Sequence, residues 1–104
     1  MNGYFLSEEA KERIKKIHSS SALYNEKAGK EHNERLLELI SHHAGEIKEL
    51  YDANDRHFLV ETGDLVVLCF ELMLEHKESI DSIMLKCFDR YDKKLASLLN
   101  KEVN

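Results

Sequence analysis

An all-α domain is predicted by three observations. The 104 residues contain no proline and only four glycines, the composition is rich in Leu, Glu, Lys, Ile and Ala, and apolar residues recur at helical spacing with no strand signal. A chain of 104 residues has room for one domain, residues 1–104. A domain this small buries only roughly 65% of the surface that its unfolded chain exposes, so pairing with a second copy would help it.

Ser7, followed by Glu8 and Glu9, reads as an N-cap with acids in the first turn. It opens a helix to about Ile17 with Ala10, Ile14 and Ile17 on one face, and the serines Ser19 to Ser21 are expected to loosen it. A second helix is expected from about Glu31 to Ala53, where Leu36, Leu37, Ile40, Ala44, Ile47 and Tyr51 recur at helical spacing. "ANDR" ends it, and Asp55 is placed to cap a third helix that runs from Phe58 to about His76. Ser79 or Asp81 caps a fourth, through about Leu99. Short connections make helices two, three and four antiparallel neighbours.

The net charge of −5 argues against a nucleic-acid-binding surface. The opening "MNGYFLSEEAKERIKK" lacks the apolar run of a signal peptide, and "LVVLCFELML" is too short to span a bilayer and carries Glu71. Cys69 and Cys87 sit in apolar surroundings without the spacing of a zinc site and read as core thiols. No membrane association and a cytoplasmic location are therefore expected.

The third helix, "VETGDLVVLCFELMLE", is apolar around most of its circumference, yet keeps Glu61, Asp64, Glu71 and Glu75 on one narrow stripe. On helix two, His43 falls in the apolar arc, Glu46 lies at its edge, and Glu49 is one step nearer solvent. Carboxylates gathered in a partly dry groove repel one another unless cations join them, and oxygen-rich sites of this kind suit Mg²⁺ or Mn²⁺. Helix four reverses the sign. Lys86, Arg90, Lys93 and Lys94 form one stripe opposite Ile80, Met84, Phe88, Tyr91, Leu95 and Leu98. Acids on two adjacent helices and a basic stripe on the next are what a metal–phosphate substrate requires.

This order of parts resembles the MazG-like family of all-α nucleoside triphosphate pyrophosphohydrolases over roughly residues 31–99. "ETGD", Glu61 to Asp64, is similar to the family's ExxD, and "LKCFDRYDKKL" to its basic closing motif, with Phe88 where an Asn is usual. The first acidic motif allows two registers. Aligning "GEI" with the family's Gly-Glu-Leu makes Glu46 the last acid and puts His42 and His43 in place of the leading glutamates, which is the preferred register. Taking Glu46 and Glu49 as the ExxE pair moves the register by three. The resemblance implies an antiparallel four-helix bundle completed by oligomerisation. It further implies hydrolysis of a nucleoside triphosphate to monophosphate and pyrophosphate, with catalytic Glu46, Glu61 and Asp64. Mg²⁺ or Mn²⁺ would be held by those acids with Glu49 or His43, and phosphate by Lys86, Arg90 and Lys93.

The rival readings are a MazG-like module that has lost catalysis and serves binding or assembly, and a ferritin-like di-metal site. The latter would want Glu-x-x-His, whereas "HAGE" supplies the reverse. Glu71 and Glu75 are expected to be mainly solubilising. His18, His32, His57 and His76 read as surface or capping residues, and Tyr4, Phe5 and Tyr24 as packing or dimer contacts. A homodimer or larger homo-oligomer is expected, because helix three has more apolar surface than two or three short neighbours can cover.

Overall fold

The computed structural model describes residues 5–103, with side chains to Lys101; Tyr4 lies outside the described residues. Four helices follow one another, α1 (Glu8–Lys27), α2 (His32–Asp52), α3 (Phe58–Glu75) and α4 (Ile80–Val103), with no strand among the described residues. None of the four is long and apolar enough to cross a membrane.

The caps explain the boundaries. Ser7 Oγ accepts the Ala10 amide at 3.1 Å, Glu31 accepts the Glu34 amide at 2.9 Å, and Ser79 Oγ accepts the Ser82 amide at 3.2 Å. Asp55 does not cap α3, whose N-cap is His57 with no side-chain cap bond; it accepts the His57 amide at 2.9 Å and so shapes the turn ahead of the helix. Gly29, Asn54 and Lys77 take left-handed φ values of 72°, 58° and 59°, each just past a helix end. The expected break at Ser19 to Ser21 does not occur: α1 continues to Lys27. Serine costs a helix interior only a few tenths of a kcal/mol, roughly, relative to the better formers. That is outweighed because Ser21 and Ala22 are half-buried and Asn25 is buried.

α2 and α3 form an antiparallel pair along their lengths. The Tyr51 and Phe58 rings meet edge-on at 5.2 Å beside the turn, His43 in the middle of α2 reaches Glu61 near the start of α3, and Asn33 donates to Glu75 at the far end. α1 lies across this pair, mainly on α3. Ile14, Phe70 and Ile80 form a core from α1, α3 and the start of α4, with Leu6, Met73, Leu74 and Met84 against it. On α2, Leu36 is fully buried.

α4 departs from the expected bundle. It touches α3 near its own start, and every residue from Phe88 to Lys101 is exposed. The reason is geometric. Asp81 ties the start of α4 to the other end of the chain, accepting the amides of Phe5 at 2.7 Å and Leu6 at 3.0 Å and pairing with Lys11 Nζ at 2.5 Å. α4 then leaves the core beyond the Phe5–Phe88 ring contact at 5.5 Å. The chain measures 57 × 41 × 23 Å with a radius of gyration of 16.8 Å, against about 13 Å for a compact domain of this size.

Asp81 is buried, and Lys11 and the two amides hold its carboxyl below the ordinary 3.8; in turn Asp81 raises Lys11 above its ordinary 10.5. A carboxyl lowered by folding stabilises above its unfolded pKa and loses that contribution as pH falls through the folded value; a lysine raised by folding loses its share as pH rises through its folded value. Asp81→Asn should therefore lower the thermal midpoint at neutral pH. Its deficit against the parent should shrink as pH falls below about 3.8 and again as it rises past about 10.5, which melting curves across that range would measure.

Candidate metal and phosphate groove

The turn between α2 and α3 opens onto a groove of about 510 Å³ lined by Ser41, His42, Gly45, Glu46, Glu49, Leu50, His57 and Glu61. Its position follows from the antiparallel pairing. Positions one turn apart near the end of α2 face positions one turn apart at the start of α3, so two short acidic segments distant in sequence share one opening.

Glu61 is its centre. The side chain is only 13% exposed, and its two oxygens reach two imidazoles, Oε2 to His43 Nε2 and Oε1 to His57 Nε2, both at 3.4 Å. His43 Nδ1 stands 2.9 Å from the Leu39 carbonyl, which can only accept, so Nδ1 carries the proton. The lone pair of a neutral His43 ring is then on Nε2, facing the acids. A ring nitrogen fixed in this way by a backbone carbonyl is the usual support of a metal-ligating histidine. Asp64 follows one turn after Glu61, and ligand atoms of His43, Glu61 and Asp64 all lie within 4.8 Å of one another. Glu46 is half-buried and engaged by His42, its neighbour one turn back, whereas Glu49 is exposed on the groove wall.

The structure thus brings His43, Glu61 and Asp64 within 4.8 Å of one another, while Glu46 and Glu49 line the groove with Glu61 but stand outside that close set. It does not bring the basic stripe to them. Lys86, Arg90 and Lys93 are exposed on α4, and none lines the groove. α3 carries Glu61 near its start while α4 joins beyond its end at Glu75, about 21 Å farther along the helix. Arg90 instead flanks a small hollow with Tyr91 and Lys94, whose ammonium sits 5.9 Å from the Tyr91 ring centre.

Several expectations are corrected. His57 is, as expected, an exposed residue at the cap position of α3, and it also joins the groove through Glu61, a relation its i,i+4 spacing already offered. Glu71 does not solubilise α3: it is buried at 3% exposure, and Glu75 is half-buried. His18 and His32 are half-buried beside these two acids. No local pattern signals that meeting, because its members come from three helices. Cys69 and Cys87 carry free thiols and are half-buried, outside the core cluster in which they are expected, and burial pushes the Cys69 thiol up from its ordinary value.

A divalent cation would relieve the repulsion between Glu61 and Asp64, so Mn²⁺ or Mg²⁺ should raise the thermal midpoint. At a hundredfold excess over Kd the gain is about 2.7 kcal/mol, or roughly 11–22 °C for a domain of this size. Asp64→Asn, at an exposed position, should abolish the rise while leaving the metal-free protein as stable as before or slightly more so. Unfolding of that variant, with no metal response in the parent, would make the carboxylate structural.

Comparison with protein-family models, with curated proteins and with solved structures gives no match.

Proposed function

We propose that the chain is a MazG-like nucleoside triphosphate pyrophosphohydrolase, using a divalent cation and water to yield a nucleoside monophosphate and pyrophosphate. The observation that carries this reading is the convergence of His43, Glu61 and Asp64 beside a groove whose other wall presents Glu46 and Glu49. The donor set fits a divalent cation: clustered carboxylate oxygens suit Mg²⁺ or Mn²⁺, and the imidazole of His43 favours Mn²⁺ of the two. When bound, such a cation supplies charge neutralisation on the phosphates and makes water acidic enough to attack phosphorus. Glu61 and Asp64 would hold it with His43, and Glu46 or Glu49 would complete the set. The Leu39 carbonyl keeps the His43 ring turned toward the acids.

Phosphate charge calls for cations, and the chain's basic stripe is on α4, the helix that a single copy leaves unpacked. We infer a homodimer or larger homo-oligomer in which α4 of one copy brings Lys86, Arg90 and Lys93 toward the groove of another. Exposed apolar groups support association: Tyr91 is 60% exposed, Leu95 53% and Leu99 63% on α4, and Leu59 and Val60 are about half exposed at the start of α3. The two unpaired thiols fit a reducing, cytoplasmic setting.

The test is pyrophosphate release from canonical and modified triphosphates with Mn²⁺ or Mg²⁺. Turnover should fall at least about a hundredfold in Glu61→Gln, the scale of losing a group that acts electrostatically on the transition state. Arg90→Ala should weaken triphosphate binding by about tenfold or more with the fold intact. No turnover with any triphosphate would favour the second reading, a MazG-like assembly module that has lost catalysis. The specific observation behind that alternative is His42 and His43, which replace the leading glutamates in the preferred register.

Association is tested separately. Light scattering at micromolar concentration should give at least twice the 12.1 kDa chain mass, and Leu95→Glu, which puts a charge on the exposed apolar face of α4, should shift the mass toward the monomer. A monomeric parent chain would remove the oligomer, and with it the route by which α4 reaches the groove.

A further inference from the structure

Among the described residues, four buried side-chain polar atoms lack a hydrogen bond: His18 Nδ1, His32 Nε2, Asn33 Oδ1 and Glu71 Oε1. All four belong to one cluster, set between α1, α2 and α3 and separate from the groove. Buried polar groups are nearly always paired, and the exceptions on His18, His32 and Glu71, residues whose ligand atoms come within 4.8 Å of one another, ask for an occupant that satisfies those three together.

The hydrogen bonds around the cluster indicate its chemistry. Glu75 Oε2 stands 3.0 Å from His18 Nε2 and can accept its proton, which leaves the His18 lone pair on Nδ1. That lone pair faces Glu71 Oε1 at 3.6 Å, one acceptor against another, too far apart for a direct hydrogen bond. Two donors bound to one tetrahedral ion at about 2.1 Å stand about 3.4 Å apart, close to this separation. Glu71 has only 3% of its surface exposed, so water is largely kept from its charge. His32 presents Nε2 to the same space, and its Nδ1 touches the amide of buried Asn25 at 2.7 Å. Turning that amide end for end, a nearly isosteric change, lets Asn25 Oδ1 accept from Nδ1–H and frees the Nε2 lone pair. Ligand atoms of His18, His32 and Glu71 then form a set within 4.8 Å of one another.

We infer that His18, His32 and Glu71 form a second metal site, for a zinc-class divalent transition ion, with Glu75 and Asn25 as positioning residues. Two imidazole nitrogens and one carboxylate favour Zn²⁺, Co²⁺, Fe²⁺ or Mn²⁺ over Mg²⁺ and Ca²⁺. Glu75 on His18 and Asn25 on His32 supply the outer hydrogen bonds that orient ligating rings. One ligand comes from each of α1, α2 and α3, so the ion clamps α1 onto the α2–α3 pair. This site does not rest on the triphosphate reading and would be present in a catalytically inactive module as well.

The test is made on His43→Gln/Glu61→Gln/Asp64→Asn protein, which removes the three converging donors of the groove. Metal-free protein is titrated with Co²⁺ while visible absorption and bound metal are measured, with helix content followed in parallel. The expected result is one Co²⁺ per chain, displaced by Zn²⁺ but not by equal Mg²⁺, together with slower proteolysis within α1. Adding Glu71→Gln should weaken binding by more than about a hundredfold, and Glu75→Gln by about ten- to a hundredfold, as expected for an outer-shell partner. Should Glu71→Gln not fold, His18→Gln, at a half-buried ring, gives the same reading. The proposal is overturned if the groove-deleted protein binds no Co²⁺, or if removing Glu71 or His18 leaves affinity and spectrum unchanged. The cluster is then a protonated or hydrated polar core.

Discussion

α3 must be covered, and the other helices are arranged by that demand. It is apolar around most of its surface, so α2 packs along one side, α1 crosses another, and α4 adds its first turns at the end. Three partners of these lengths do not suffice. Leu59, Val60 and Val66 stay about half exposed on α3, and only Ile14, Leu36, Phe70 and Ile80 are buried apolar residues among those described. Burial of apolar surface is the main favourable contribution to folding. These residues, with Tyr91, Leu95, Leu98 and Leu99 of α4, are the exposed apolar surface on which the proposed association rests.

The polar groups follow from the same demand. The narrow polar stripe of α3 faces neighbouring helices, so acids at Glu61 and Glu71 enter partly or wholly dry surroundings. A dry carboxylate needs a partner charge or hydrogen bonds. The chain answers with imidazoles in both places, His43 and His57 for Glu61, His18 and His32 for Glu71 and Glu75. Histidine suits the task because it can meet a carboxylate as a cation or share a metal with it.

The helices were legible in the sequence because each rests on local signals, namely periodic apolar residues, Ser7 and Ser79 as caps, and the absence of proline. The end of α1 was not, since Ser19 to Ser21 are weak helix formers locally and α1 is carried past them by burial of Asn25 and its neighbours. The α2–α3 groove was legible in part: Glu46, Glu49, Glu61 and Asp64 sit at spacings that an antiparallel pair brings together. The His18, His32, Glu71 cluster was not, because its members are local neighbours of nothing that marks them. The course of α4 was also hidden, as Asp81 reads as a cap in sequence and serves instead as a tertiary anchor.

That anchor also bears on the order in which the chain folds. α2 and α3 are joined by a short turn, so their pairing closes small loops and can form early. The bond from the Phe5 amide to Asp81 spans 76 positions. During synthesis the amides of Phe5 and Leu6 and the Lys11 ammonium emerge long before the carboxylate that receives them, and they remain with water until α4 begins to appear. Docking of the two ends is thus a late, long-range step laid over a fast local one, and a chain caught between the two would display α1 only loosely held against an already formed α2–α3 pair.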